Sequence, residues 1–243
     1  MSEILVIIMA GGLGKRMNSS IPKVLHKIGQ EPMLVKIIQE VRLIHPQKVL
    51  VVVGKYYQMI KTTLEEYIEL SDVEFVLQKE ALGTGHAIQC CIPILKENPM
   101  SKVLILSGDV PLLKANTMLQ MIDPFHGAKI TTTLLDNPQG YGRIIEKNGR
   151  FQKIVEEKDC SVQERYIQKV NCGLYAFSSA YLTQYLPRLT CNNNQQEYYL
   201  TDFVGILRDE TIEIDMLEMS KENQHEIMGV NDQEQLNELN KFV

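Results

Sequence analysis

The chain has 243 residues, 44% of them hydrophobic and 23% charged, and a formal charge of -5. That balance belongs to a globular protein with a substantial core, and it excludes a disordered chain or a bulk nucleic-acid binder. The five cysteines (Cys90, Cys91, Cys160, Cys172 and Cys191) are odd in number and form no CxxC pair, which argues against a disulfide framework or zinc site and for a reducing compartment, the cytoplasm.

ILVIIM (4–9) follows acidic Glu3 and is cut short by Gly11. It is too short for a membrane span and wrongly flanked for a signal peptide, so it reads as a buried strand. Leu34, Ile37, Ile38, Val41 and Ile44 fall on one face of a helix over 33–44, and KVLVVVG (48–54) is the next strand, completing a βαβ crossover. A second helix is predicted over 56–70, a strand over 73–77, a helix over 83–97 entered through a glycine turn, and a central strand over 102–109. Beyond about residue 127, KITTTLLD, GRIIEK and FQKIVEE are short and β-branched, which predicts antiparallel strands or a mixed extension of the sheet. VNCGLYAF (170–177) is a further strand. SAYLTQYLPRL and YYLTDFVGILRDE have helical spacing, TIEIDMLEM (211–219) alternates as a half-buried strand does, and DQEQLNELNKF closes the chain as a short polar helix. The alternation specifies the α/β class, and no repeat or linker divides residues 1–243.

VIIMAGGLGKRM (6–17) places three glycines and the cations Lys15 and Arg16 after the first strand, with Lys23 close behind. Glycines let backbone N–H groups approach an anion, so this is a generic phosphate recipe, with a ligand-free turn as its competitor. A Walker loop fails because Met9 stands where its first glycine belongs and Arg16 follows Lys15 in place of Ser or Thr. A dinucleotide fingerprint starting at Gly12 fails at Met17, which disfavours a dehydrogenase. Asp109, just past a central strand, is placed either to hold Mg²⁺ beside phosphates or to cap the turn before Pro111. Gln78 precedes the turn LGTGHA, where an amide offers donor and acceptor together; His86 in that turn reads as a packing or capping residue or as a ligand contact, with no catalytic role.

The stretch MAGGLGKRMNSSIPKVLHKIGQEPM is followed in order by LQKEALGTGHAI, LILSGDVPLL, DNPQGYGRI, IVEEKD, VNCGLYAF, NNNQQEYYLTD and GVND. Together these resemble the sugar nucleotidyltransferases, specifically the uridylyltransferase domain of the bacterial bifunctional enzymes that make UDP-N-acetylglucosamine. The resemblance spans nearly the whole chain. It implies a Rossmann-like three-layer α/β/α fold with a mixed, mainly parallel central sheet, a nucleotide-binding half over 1–127, and a small β-rich sugar-binding lobe within 128–243. It also implies Mg²⁺-dependent transfer from UTP to N-acetylglucosamine 1-phosphate, small-molecule substrates, and no nucleic acid or membrane partner.

By the same resemblance Arg16 and Lys23 are catalytic cations at the phosphates. Ala10, Gly11, Gly12, Gln78, Gly83 and Thr84 bind the nucleotide; Gly142, Glu156 and Asn171 bind the sugar; Asp109 and Asn231 hold the metal. Taken singly, Glu156 reads as part of a solvated charge run, and NNNQQEYYLTD as a turn entering an amphipathic helix with no ligand of its own. Three residues depart from the pattern: Lys15 for threonine, Ser107 for the tyrosine of many relatives, and Cys172 for threonine. No hexapeptide repeats follow GVN before Val243, so the resemblance leads us to expect no acetyl transfer and implies no trimer; the oligomeric state is not set. The competing readings are the same chemistry on another nucleotide or sugar phosphate, and a nucleotide-sugar sensor without turnover.

Overall fold

A computed structural model describes residues 3–12, 17 and 19–243. In chain order the strands are β1 (Ile4–Met9), β2 (Lys27–Ile28), β3 (Glu31–Pro32), β4 (Lys48–Val53), β5 (Val73–Leu77), β6 (Lys102–Ser107), β7 (Ala128–Leu134), β8 (Gly142–Lys147), β9 (Arg150–Val155), β10 (Lys169–Ser178) and β11 (Asp215–Glu218). The helices are α1 (Met33–Arg42), α2 (Tyr57–Glu65), α3 (Thr84–Gln89), α4 (Ile92–Glu97), α5 (Ala115–Ile122), α6 (Ser179–Tyr185), α7 (Leu200–Asp209) and α8 (Gln233–Leu239).

Nine strands form one sheet whose main path runs β11-β7-β10-β6-β1-β4-β5. β5, β4, β1 and β6 are mutually parallel, β10 runs against β6 and β7, and β11 returns parallel to β7. The sheet is therefore mixed and mainly parallel, and strands from both halves of the chain belong to it. A two-stranded hairpin of β2 and β3 stands apart.

Alternation along β1 explains the three layers. Val6 and Ile8 face Leu34, Ile38 and Val41 of α1, together with α2 and α5. Leu5 and Ile7 face Ile88, Leu182, Phe203 and Val204 on α3, α6 and α7. Residues 5–8 are fully buried, as a strand covered on both faces must be, and each such side chain contributes roughly 1.5–3 kcal/mol of burial.

The apolar patterns place the elements well but not their ends. The stretch 83–97 forms two helices, because Pro93 lies in the first turn of α4 and cannot continue the hydrogen-bond ladder of α3. Residues 211–219 yield a strand only over Asp215–Glu218, since the α7 helix runs to Asp209 and Thr211 turns the chain with φ +62°. Ten-residue β10 pairs with β6 through Tyr175–Ser178 and with β8 through Val170 and Asn171. Gly173, at φ +74°, lies where its register with β7 shifts, and the left-handed backbone there suits glycine. This bulge splits the sheet and sends β8 and β9 out as a lobe.

Among the described residues no helix is long and apolar enough to cross a membrane. All five cysteines are free. Burial pushes the thiols of Cys91 and Cys172 far above their ordinary range, making them packing groups and not nucleophiles.

Candidate active site

The C-terminal ends of β1, β4, β5 and β6 open on one edge of the sheet, and the chain leaves β1 toward β4 on one side while β6 flanks the other. Such a reversal of strand order is where open α/β sheets form their ligand crevice. Two cavities lie there. One, of 490 Å³, is lined by residues including Gly11, Gly12, Lys23, Gln78, Gly83 and Asp109. The other, of 590 Å³, is lined by residues including Gly142, Glu156, Asn171, Thr201, Asp109 and Asn231. Met9, Thr84, Ser107 and Asp109 belong to both walls, so Asp109 sits where the cavities meet.

Three charged or amide groups converge at that junction. Lys23 opens a 3₁₀ turn whose next residues, Val24 and Leu25, are anchored in the core. Its ammonium donates to Asp109 Oδ2 and, at 3.3 Å, to Asn231 Oδ1. Asn231 arrives from the far end of the chain. Val230 N–H donates to the Asp109 carbonyl at 2.9 Å, Asn231 N–H donates to Gln235 at 2.7 Å, and the Asp232 side chain caps α8. Leu236 and Leu239 of α8 then pack with Ile28 and Met33. Sequence spacing could not join Asp109 to Asn231; the fold does. Arg16 and Lys15 lie outside the described residues.

Of the residues expected at the nucleotide, Gly11, Gly12, Gln78, Gly83 and Thr84 line the first cavity. Ala10 is buried, its N–H donating to Val52 O, and Gly11 and Gly12 are at the wall. Gln78 is itself buried: its amide nitrogen donates to the Gly83 carbonyl at 3.0 Å and lies 3.2 Å from His86 Nδ1. Its first task in the fold is therefore to hold the turn, with His86 as a packing partner. Gly83 has φ +112°, and a Cβ there would lie 2.6 Å from the Tyr198 carbonyl, so the position requires glycine. Thr84 Oγ1 accepts the Leu200 N–H at 3.0 Å, satisfying a donor at the start of α7.

On the wall of the second cavity, Thr201 Oγ1 donates to Glu156 Oε1 at 2.8 Å. Burial pushes the Glu156 carboxyl above the ordinary carboxylate range, partly opposed by the Thr201 hydrogen bond. Asn171 donates to Tyr175 Oη at 2.7 Å and accepts from Gly173 N–H. Gly142 begins β8, one residue before the buried Arg143, which bonds the Tyr141 carbonyl and Glu157 Oε2. Glu157 also accepts from Gly140 N–H, so this pair shapes the loop over the second cavity.

Two sets of partners were invisible in the sequence. NNNQQEYYLTD joins the two cavities: Tyr198 pairs with Leu82 and Gly85, Asn194 reaches Lys158 and Asp159, and Thr201 reaches Glu156. The motif itself was visible, but only side-chain geometry reveals its partners. Ser107 was noticed as a departure, yet its hydroxyl bond to Asp109 Oδ1, at 2.6 Å, needed the fold.

Residues 6–154 match the MobA-like NTP transferase domain. The chain belongs to this family. It is a nucleotidyltransferase. A protein of Acanthamoeba polyphaga mimivirus named as a probable UDP-N-acetylglucosamine pyrophosphorylase is 40% identical over 240 residues, covering 96% of this chain and 94% of that one. The bifunctional protein GlmU of Gloeothece citriformis is 40% identical over 238 residues, but the chain spans only 51% of its length. A crystal structure of a Bacillus anthracis protein assigned as a glucose-1-phosphate thymidylyltransferase superposes with a TM-score of 0.74 over 98% of this chain and 94% of that one, at 17% identity. At that identity the likeness supports the fold alone.

Proposed function

We propose that the chain transfers a uridylyl group from UTP to N-acetylglucosamine 1-phosphate, giving UDP-N-acetylglucosamine and pyrophosphate in the cytoplasm. The observation that carries this reading is the meeting of two cavities at Lys23, Asp109 and Asn231. A reaction between two phosphates needs such a junction. The mimivirus relative of nearly matching extent supports the choice of substrates. We assign residues 1–127 to the nucleotide and 128–243 to the sugar.

An oxygen of the sugar phosphate attacks the α-phosphorus, and the bond to the β-phosphate oxygen breaks as pyrophosphate leaves. The nucleophile is already ionised, so the protein's work is to place two polyanions and offset their charge. Lys23 moves its ammonium from Asp109 to the phosphates, and Arg16 acts with it on the triphosphate. The turn at Gly83 and Thr84, held by Gln78, receives the uracil. Glu156 and Asn171 exchange hydrogen bonds with sugar hydroxyl and amide groups, and Gly142 presents its backbone to the sugar on the wall of the second cavity.

The donor chemistry at Asp109 and Asn231 fits a divalent cation, Mg²⁺ in this reading. Both side chains offer hard oxygens, and the Lys23 ammonium already lies against them as a stand-in positive charge. Mg²⁺ usually takes one or two protein oxygens and completes its shell with water and substrate phosphate, which two such ligands would allow. When bound there, the metal offsets charge on the reacting phosphates.

Phosphorus NMR on the chain with UTP, N-acetylglucosamine 1-phosphate and Mg²⁺ tests the reading. Signals of UDP-N-acetylglucosamine and pyrophosphate should grow together. Persistence of both substrates overturns it.

A further inference from the structure

Ser107 ends β6 on the wall shared by both cavities. Its hydroxyl donates to Asp109 Oδ1 at 2.6 Å, while the Lys23 ammonium takes Oδ2. The two carboxylate oxygens thus have separate partners, and the pair of bonds sets the plane of the carboxylate. Val230 N–H fixes the Asp109 main chain through its carbonyl, but it leaves the terminal side-chain torsion free, and that torsion is intrinsically broad. In the proposed reaction Lys23 is called away to phosphate. Ser107 is then the bond that keeps the carboxylate from turning.

We propose that Ser107 is a positioning residue: its hydroxyl holds Asp109 Oδ1 so that Oδ2 stays aimed toward Asn231, ready for the cation. The inference rests on the reading of Asp109 and Asn231 as a divalent-cation pair. Two effects oppose each other here. A hydrogen bond to a carboxylate draws off some of its charge and weakens it as a ligand, yet it also fixes its direction. Loss of a group that orients a ligating carboxylate typically costs about 10- to 100-fold in metal affinity, so orientation dominates.

The test is Mn²⁺ binding, read as free Mn²⁺ by electron paramagnetic resonance, to the full chain with a UTP analogue whose α,β bridge cannot be cleaved. Wild type, Ser107→Ala and Ser107→Thr are compared after circular dichroism shows equal melting. Wild type should bind saturably, Ser107→Ala about 10-fold more weakly, and Ser107→Thr within about 2-fold of wild type because it keeps the hydroxyl. Affinity unchanged or tighter in Ser107→Ala, or a Thr variant as weak as Ala, overturns the role of Ser107 while leaving the metal reading in place. No saturable Mn²⁺ binding by wild type overturns the metal reading and this proposal with it.

Discussion

Lys23 and Asp109, 86 residues apart, form an ion pair in which both side chains are mostly buried, 15% and 16% exposed. The same ammonium lies 3.3 Å from Asn231 Oδ1. One cation from near the start of the chain therefore organises two oxygens, one from its middle and one from near residue 243. In the proposed reaction that cation acts on phosphate, so Lys23→Ala should lower kcat by about 10²- to 10³-fold. Pyrophosphate release at saturating substrates measures it, and a rate near that of wild type contradicts the assignment.

Thr201 gives Glu156 its hydroxyl hydrogen bond. Thr201→Val removes the donor and leaves a half-buried carboxylate short of a partner, a loss of about 1–3 kcal/mol. KM for the sugar phosphate should rise roughly 5- to 150-fold while KM for UTP holds. Steady-state rates with each substrate varied in turn check this, and equal changes in both constants contradict it.

Burial raises the Glu156 carboxyl, so its ionised form is disfavoured in the folded chain. The sign follows from linkage. Glu156 contributes stability while protonated, below its unfolded value, and that contribution is lost as pH rises through the raised folded value. Glu156→Gln should therefore gain melting temperature relative to wild type as pH increases from the acid side of the carboxylate range to neutrality. Thermal melts across that range provide the check; a gap that shrinks with rising pH contradicts it.

Phe203 is fully buried on α7 and meets Phe177 edge to face, with ring centroids 5.0 Å apart. Phe203→Ala should cost about 3–5 kcal/mol in urea denaturation. A loss under about 1 kcal/mol would mean that α7, which carries Thr201, is not held by this layer.

The fold was legible because β1, β4 and β6 are continuous apolar runs and α1 keeps Leu34, Ile37, Ile38 and Val41 buried along one stripe. Helix ends were less so, since Pro93 and Thr211 interrupt patterns that hydrophobic period alone extends. In the site, the residues just past strand ends, Gly11, Gln78 and Asp109, could be placed from the strands themselves. Asn231 could not, because its position depends on the Val230 bond to the Asp109 carbonyl and on α8 packing, both long-range. Thr201 and Ser107 act through single hydroxyl bonds to carboxylates, and a hydroxyl's partner leaves no periodic mark in a sequence.

Uridylyl transfer to an acetylated amino-sugar phosphate sets this chain apart from other nucleotidyltransferases by the pair of substrates it turns over. A matrix of the four nucleoside triphosphates and dTTP against glucose 1-phosphate, glucosamine 1-phosphate and N-acetylglucosamine 1-phosphate, scored by pyrophosphate release with Mg²⁺ and with chelator, tests it most directly. UTP with N-acetylglucosamine 1-phosphate should give the highest kcat/KM, and no pair should turn over with chelator. Faster turnover of another pair, or no turnover of any, would contradict it.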